Sequence, residues 1–244
     1  MHDQIRIANE NSSIKEFPFL LVSDWNQTRF EEVDGVIGLS KTFITTNGTS
    51  SGPKLLDGLL QAGEIDLKMF SVHFDNIGGS TLELGGYDLN NAAPGVPIVN
   101  FEVPYERKWR LTMNGFRVGD KTKFKNGARS SFKVPEAAAY LDTFSPHISI
   151  PRSYGGEIFS YFFHGLDYDS IMDDVLVGTC DLSYYFDLYF FINDKYYLKI
   201  QPSSYIIDIG YSDKCFIAIK FSDDDTWTLG EPFFRNYYAI FDDS

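Results

Sequence analysis

No apolar run in this sequence is long enough to cross a bilayer; the stretch Phe17 to Val22 is too short. The start, Met1-His2-Asp3-Gln4-Ile5-Arg6, is not a secretory signal, because no apolar segment follows a basic beginning. Positive charge is also scarce. Lys and Arg number 21 against 34 Asp and Glu, giving a net charge of -13. That balance repels nucleic acid and anionic membrane surfaces, and the cations form no phosphate-binding run. Four histidines, His2, His73, His147 and His164, show no paired metal spacing, so no metal is expected, and His147 reads as loop surface. Gly85-Gly86 reads as a turn rather than a phosphate cradle, and no cofactor is expected. Ser, Cys and His compose no nucleophilic set. The two cysteines, Cys180 and Cys215, permit one disulfide without requiring it.

Aromatic residues are plentiful, with 22 Phe and 15 Tyr in 244 residues. They suit half-buried pleated surfaces and point to strands. Short alternating segments, Phe70 to Phe74, Leu82 to Leu84 and Trp109 to Met113, alternate with turn residues. Asn114-Gly115 predicts a hairpin turn after the third. Asn193-Asp194 predicts another between the apolar-rich runs Leu188–Ile192 and Tyr196–Ile200; Cys215–Phe221 is a further run. Helical patterns are few: Pro53–Ala62 with Gly63 just beyond, Ser153–Leu166, and a short one over Glu231–Tyr237. The expected class is all-β. Polar, turn-rich Asn90–Pro97 marks a boundary between halves 1–97 and 98–244.

Several segments share an order. Asp34-Gly35-Val36-Ile37-Gly38 comes first, and Leu82-Glu83-Leu84-Gly85-Gly86 is second. Then come Trp109 with its strand, Asp142-Thr143-Phe144-Ser145 with Ile148 and Ile150, and Trp227-Thr228-Leu229-Gly230. Together they resemble the pepsin-like aspartic peptidase family nearly end to end. The resemblance implies a bilobal fold with a partial N-terminal lobe over 1–97 and a C-terminal lobe over 98–244. It also implies that Cys180 and Cys215 form the second lobe's disulfide, two free thiols being the alternative.

In that family, as the resemblance implies, two aspartates from opposite lobes share one proton around a water. Like charges at about 3 Å split their pKa values, so one activates the water and the other polarises the scissile carbonyl. Each aspartate sits in an Asp-Thr-Gly loop. Here Asp142-Thr143-Phe144-Ser145 is the sole counterpart; Asp3 and Asp24 lack the following Thr-Gly. The family's first loop and flap would precede Met1. Glycine normally lets the backbone approach the catalytic centre, so Phe144 is expected to intrude on the cleft or distort its loop. Thr143 and Ser145 keep a loop-bracing role. Asp142 is read as the one catalytic-type residue, more structural than chemical by itself.

The expected function is therefore that of an inactive peptidase homologue working through a peptide or protein ligand. Another subunit could cover strand edges left exposed. An active endopeptidase whose first part lies elsewhere is one alternative, and a secreted β-rich interaction module is another. The resemblance places the protein in the secretory pathway, a lysosome or vacuole, or outside the cell. The sequons at Asn11, Asn26 and Asn47 agree with that history. Asp223-Asp224-Asp225 reads as a solvated turn, as do Asp169, Asp173 and Asp174.

Overall fold

The computed structural model describes residues 2–7, 13–18, 35–41, 54–75, 78–103, 108–119, 131–155, 158, 169–171, 175–208, 210 and 214–244. The sequons, Asp24, Asp34, His164, Asp173, Asp174 and most of 153–166 lie outside them. No described helix is long and apolar enough to cross a membrane. Strands dominate, and the chain forms two compact units.

The first unit comprises Met1–Val72, Thr81–Pro94 and Ala239–Ser244. A hairpin of β1 (His2–Arg6) and β2 (Ser13–Pro18) lies beside the helix Leu55–Gln61. Leu55 and Leu59, four positions apart, bury one helical face against Ile14, with Phe17, Leu39 and Ile65 around them. The helix stops where Gly63 turns to φ 71° and the Glu64 amide donates to Leu59 O at 2.9 Å. This is the glycine-dependent ending that the sequence foretells. A three-stranded sheet joins β3 (Met69–His73), β4 (Thr81–Leu84) and the closing strand β16 (Ala239–Asp242), in the order β16-β3-β4. Phe241 stacks on Phe70 with ring centroids 4.5 Å apart. Gly85 is obligatory at its turn: its φ is 84°, and an added Cβ would collide with Ile65.

The second unit comprises His73–Ser80 and Gly95–Tyr238. Its seven-stranded sheet runs β11-β10-β5-β6-β15-β7-β14. These strands are β5 (Arg110–Val118), β6 (Ser131–Leu141), β7 (Ile148–Pro151), β10 (Leu188–Ile192), β11 (Tyr196–Ile200), β14 (Ile219–Ser222) and β15 (Trp227–Leu229). A four-stranded sheet, ordered β12-β13-β9-β8, uses β8 (Asp169–Ile171), β9 (Val175–Thr179), β12 (Ile206–Asp208) and β13 (Lys214–Ile217). Trp227 is the core's centre. It is 1% exposed, and the rings of Phe116, Tyr154 and Phe190 surround it.

Cys180 and Cys215 form a disulfide. Cys215 pairs with Gly178 across β13 and β9, which brings the start of the segment after β9 within reach. The Asn193-Asp194 hairpin is present, with both residues at positive φ, 52° and 57°. The hairpin expected at Asn114-Gly115 is not. Both residues lie inside β5, where the pairing with β10 shifts by one residue. Such a bulge accepts the same residue pair as a turn. Asp169 likewise opens β8 rather than standing in a solvated turn.

Candidate functional site

β6 ends at Leu141, and the chain turns through Asp142, Thr143 and Phe144 before entering β7 at Ile148. The turn is pinned on both sides. The Leu141 amide donates to Trp109 O at 2.9 Å, and the Asp142 amide donates to Leu229 O at 3.2 Å. Asp142 Oδ1 accepts the Phe144 amide at 3.0 Å, and Asp142 O accepts the Ser145 amide at 3.2 Å. A carboxylate bonding the amide two residues on is an Asx-turn, so Asp142 organises its own loop. Among the described residues, the Phe144 amide is the one hydrogen-bond donor to that carboxylate.

Ser145 braces the chain on its way into β7. Its hydroxyl donates to His147 O at 3.1 Å and accepts the His147 amide at 3.4 Å. Its carbonyl accepts the Glu231 amide at 2.8 Å, tying the loop to the short helix Glu231–Phe234. Gly230, at the head of that helix, faces the carbonyl oxygens of Ser145 and His147 so closely that no side chain fits. Strand β15, just ahead of Gly230, lies between the two strands that flank the loop. It runs parallel to β6 through Trp227–Leu229 and antiparallel to β7 through Thr228 and Leu229.

Asp142, Thr143 and Phe144 are exposed or partly so, and Phe144 at 57%. Phe144 keeps a negative φ, so its backbone conformation carries no left-handed strain. His147 is not loop surface: it is 8% exposed, with its ring edge-on to Phe216 at 5.3 Å. The turn draws it inward just before Ile148, which is wholly buried. Val36 and Ile37, in the first unit, are exposed at 60% and 62%. Asp223–Asp225 form an exposed bend ahead of Trp227, with Asp223 paired to Arg152 at 2.7 Å. The sequence marks Trp227-Thr228-Leu229-Gly230 as one segment of the family resemblance but does not reveal that Gly230 seats the Asp142 loop. The run Trp-Thr-Leu-Gly marks a strand end, while the close approach is a tertiary fact.

The profile of the eukaryotic aspartyl protease family matches residues 1–244. The chain belongs to the eukaryotic aspartyl protease family. Its all-β architecture in two units is the pepsin-like fold of that family. Among similar relatives, gastricsin of Rattus norvegicus is 26% identical over 87% of this chain and 52% of its own length. Cathepsin E of Cavia porcellus is 26% identical over 86% of this chain and 52% of its own. Pepsin-3 of Oryctolagus cuniculus is 24% identical over 99% and 59%. This aspartyl protease family chain therefore spans between half and three fifths of the length of the relatives it matches.

Proposed function

We propose that this chain is a non-hydrolysing member of the aspartyl protease family that acts by binding a peptide or protein. The observation that carries this reading is Phe144, a phenyl side chain at the third position of the sole Asp-Thr-Xaa-Ser loop. Hydrolysis of this type takes two carboxyls in opposite protonation states around one water. Asp142 offers one, and its Oδ1 is engaged by the Phe144 amide. Asp142, Thr143 and Ser145 then act as a structural turn. Residues 1–97 form a partial N-terminal lobe and 98–244 a C-terminal lobe, with strand edges open to a ligand or a second subunit. The disulfide supports an oxidising setting: the secretory pathway, a lysosome or vacuole, or the exterior.

A second reading is an active endopeptidase in which another chain segment contributes the other aspartate. The fraction of the relatives' length covered here, 52–59%, favours it. The test is an acid-pH cleavage assay on a labelled peptide, with Phe144→Gly and Asp142→Asn alongside. No cleavage by the unmodified protein is expected. Cleavage that Asp142→Asn abolishes would overturn the proposal and select the second reading. A co-purifying partner with no affinity for peptides would instead favour an interaction module.

A further inference from the structure

The hairpin of β5 and β6 carries a second concentration of chemistry at the end away from Asp142. Arg110 pairs with Tyr140 beside the loop, whereas Arg117 pairs with Ser131 at the opposite end. There the strand register lines up two rows on the outer face of the sheet. One row is Arg117, Tyr189 and Lys199; the next is Lys133, Gly115, Phe191 and Tyr197. Their in-strand neighbours Phe116, Phe190 and Leu198 are buried, so the rows face outward.

Arg117 is the centre of this face. Its guanidinium lies 4.1 Å from the Tyr189 ring centroid and 5.6 Å from that of Phe191. Among the described residues it has no ion pair and no hydrogen-bond acceptor, and its Nε is buried without a partner. Lys199 differs: it is bound to Asp187 at 2.8 Å. A guanidinium attracted to ring faces keeps its donor fork, the geometry that takes a carboxylate bidentately. Beside it, Phe191 packs over Gly115. Tyr197 is 57% exposed, and Lys133 is exposed.

We propose that this face docks an acidic, extended segment of a partner polypeptide. The rows are two residues apart along the strands, about 6.8 Å, which is also the spacing of same-side side chains in an extended peptide. A carboxylate of the segment takes the Arg117 fork, and the next same-side residue, apolar, lies on Phe191 and Tyr197. Charge complementarity selects the acidic partner. In a chain of net charge -13, this face carries Arg117 and Lys133 in excess of the matched Lys199–Asp187 pair. Opposite charge in a local field steers association and makes it salt-dependent.

The test is fluorescence anisotropy of a labelled alternating Glu-Leu peptide, and of its Lys-Leu counterpart, with the full chain at pH 7. The acidic peptide should bind, more weakly as salt rises, and the basic one should not. Arg117→Gln should weaken binding at least about tenfold, Arg117→Lys by less, since it keeps the charge and loses the fork. Tyr197→Ala should weaken it several-fold, while Lys220→Gln on the far strand β14 leaves it unchanged. Near-ultraviolet circular dichroism checks that each variant is folded. The proposal falls if the acidic peptide does not bind or if Arg117→Gln binds it equally. It also falls if only a sulfated oligosaccharide binds. None of these outcomes bears on Asp142, which lies at the other end of β6.

Discussion

Gly230 stands against the carbonyl oxygen of Ser145 with no room for a methyl group: a Cβ there would lie under 3.0 Å from that oxygen and from His147 O. Both obstacles are backbone, so neither can swing aside as a flexible side chain would. Gly230→Ala should therefore push β15 and the Asp142 loop apart and lower stability by about 2–3 kcal/mol, the scale of an overpacked core. A urea midpoint equal to that of the unmodified protein would show that the loop yields freely.

Trp227 fills the second unit's core together with Phe116 and Phe190. Trp227→Phe keeps an aromatic ring but leaves a void, and Trp227→Ala leaves a far larger one. The alanine variant should lose about 3–5 kcal/mol and the phenylalanine variant clearly less. Denaturant unfolding followed by far-ultraviolet circular dichroism checks the order. Equal losses would mean that the indole's nitrogen matters more than its volume.

The disulfide should matter on a similar scale. Cys180 and Cys215 are 35 positions apart, and closing a loop of that length restricts the unfolded chain by about 3–4 kcal/mol in the chain-entropy model. The double variant Cys180→Ser, Cys215→Ser should unfold at correspondingly lower urea. An unchanged midpoint would show that the reduced chain retains structure across this segment.

Strands β10 and β11 were legible to the residue, because Asn193-Asp194 interrupts two apolar runs with residues that tolerate positive φ. Asn114-Gly115 misled because a bulge and a turn ask for the same conformational freedom. Only the pairing of Gly115 with both Phe191 and Lys133 distinguishes them. Cys215–Phe221 hid a break: β13 and β14 flank Ala218 and join different sheets. The parallel pairings of β15 with β6 and of β14 with β7 leave no local trace, since the partners are distant in sequence. At the candidate site, Asp142 and Ser145 were legible as a motif. The burial of His147 and the seat formed by Gly230 arise from packing that no neighbouring residue announces.

Asn193 offers a direct check on that hairpin. At φ 52° a β-branched side chain is strained, whereas asparagine is tolerated. Asn193→Val should cost about 1–2 kcal/mol, and Asn193→Gly should be neutral or slightly stabilising, as type I′ turns prefer glycine. A valine variant as stable as the unmodified protein would mean that the turn changes type at little cost.

Alkaline pH should unfold this protein through its buried tyrosines. Tyr185 donates to Thr179 O at 2.7 Å, and burial pushes its pKa up to about 12. Tyr205, wholly buried, donates to Phe186 O at 2.6 Å, and burial holds its pKa well above the ordinary 10.0. Lys199 is raised too, chiefly by its hydrogen bond to Asp187. In each case the folded state keeps its proton longer than the unfolded chain does. The stabilisation is thus fully present below the unfolded pKa, near 10 for tyrosine, and is lost as pH rises towards 12. The urea midpoint should hold steady from about pH 8 to 9.5 and fall steeply above about 10. Tyrosinate absorbance should show a late-ionising group that appears only on unfolding. Tyr185→Phe cannot ionise at that position, so its midpoint should start lower, through the lost bond to Thr179 O, and then fall less steeply. A decline equally steep in Tyr185→Phe and in a matching Tyr205→Phe variant would place the alkaline sensitivity elsewhere.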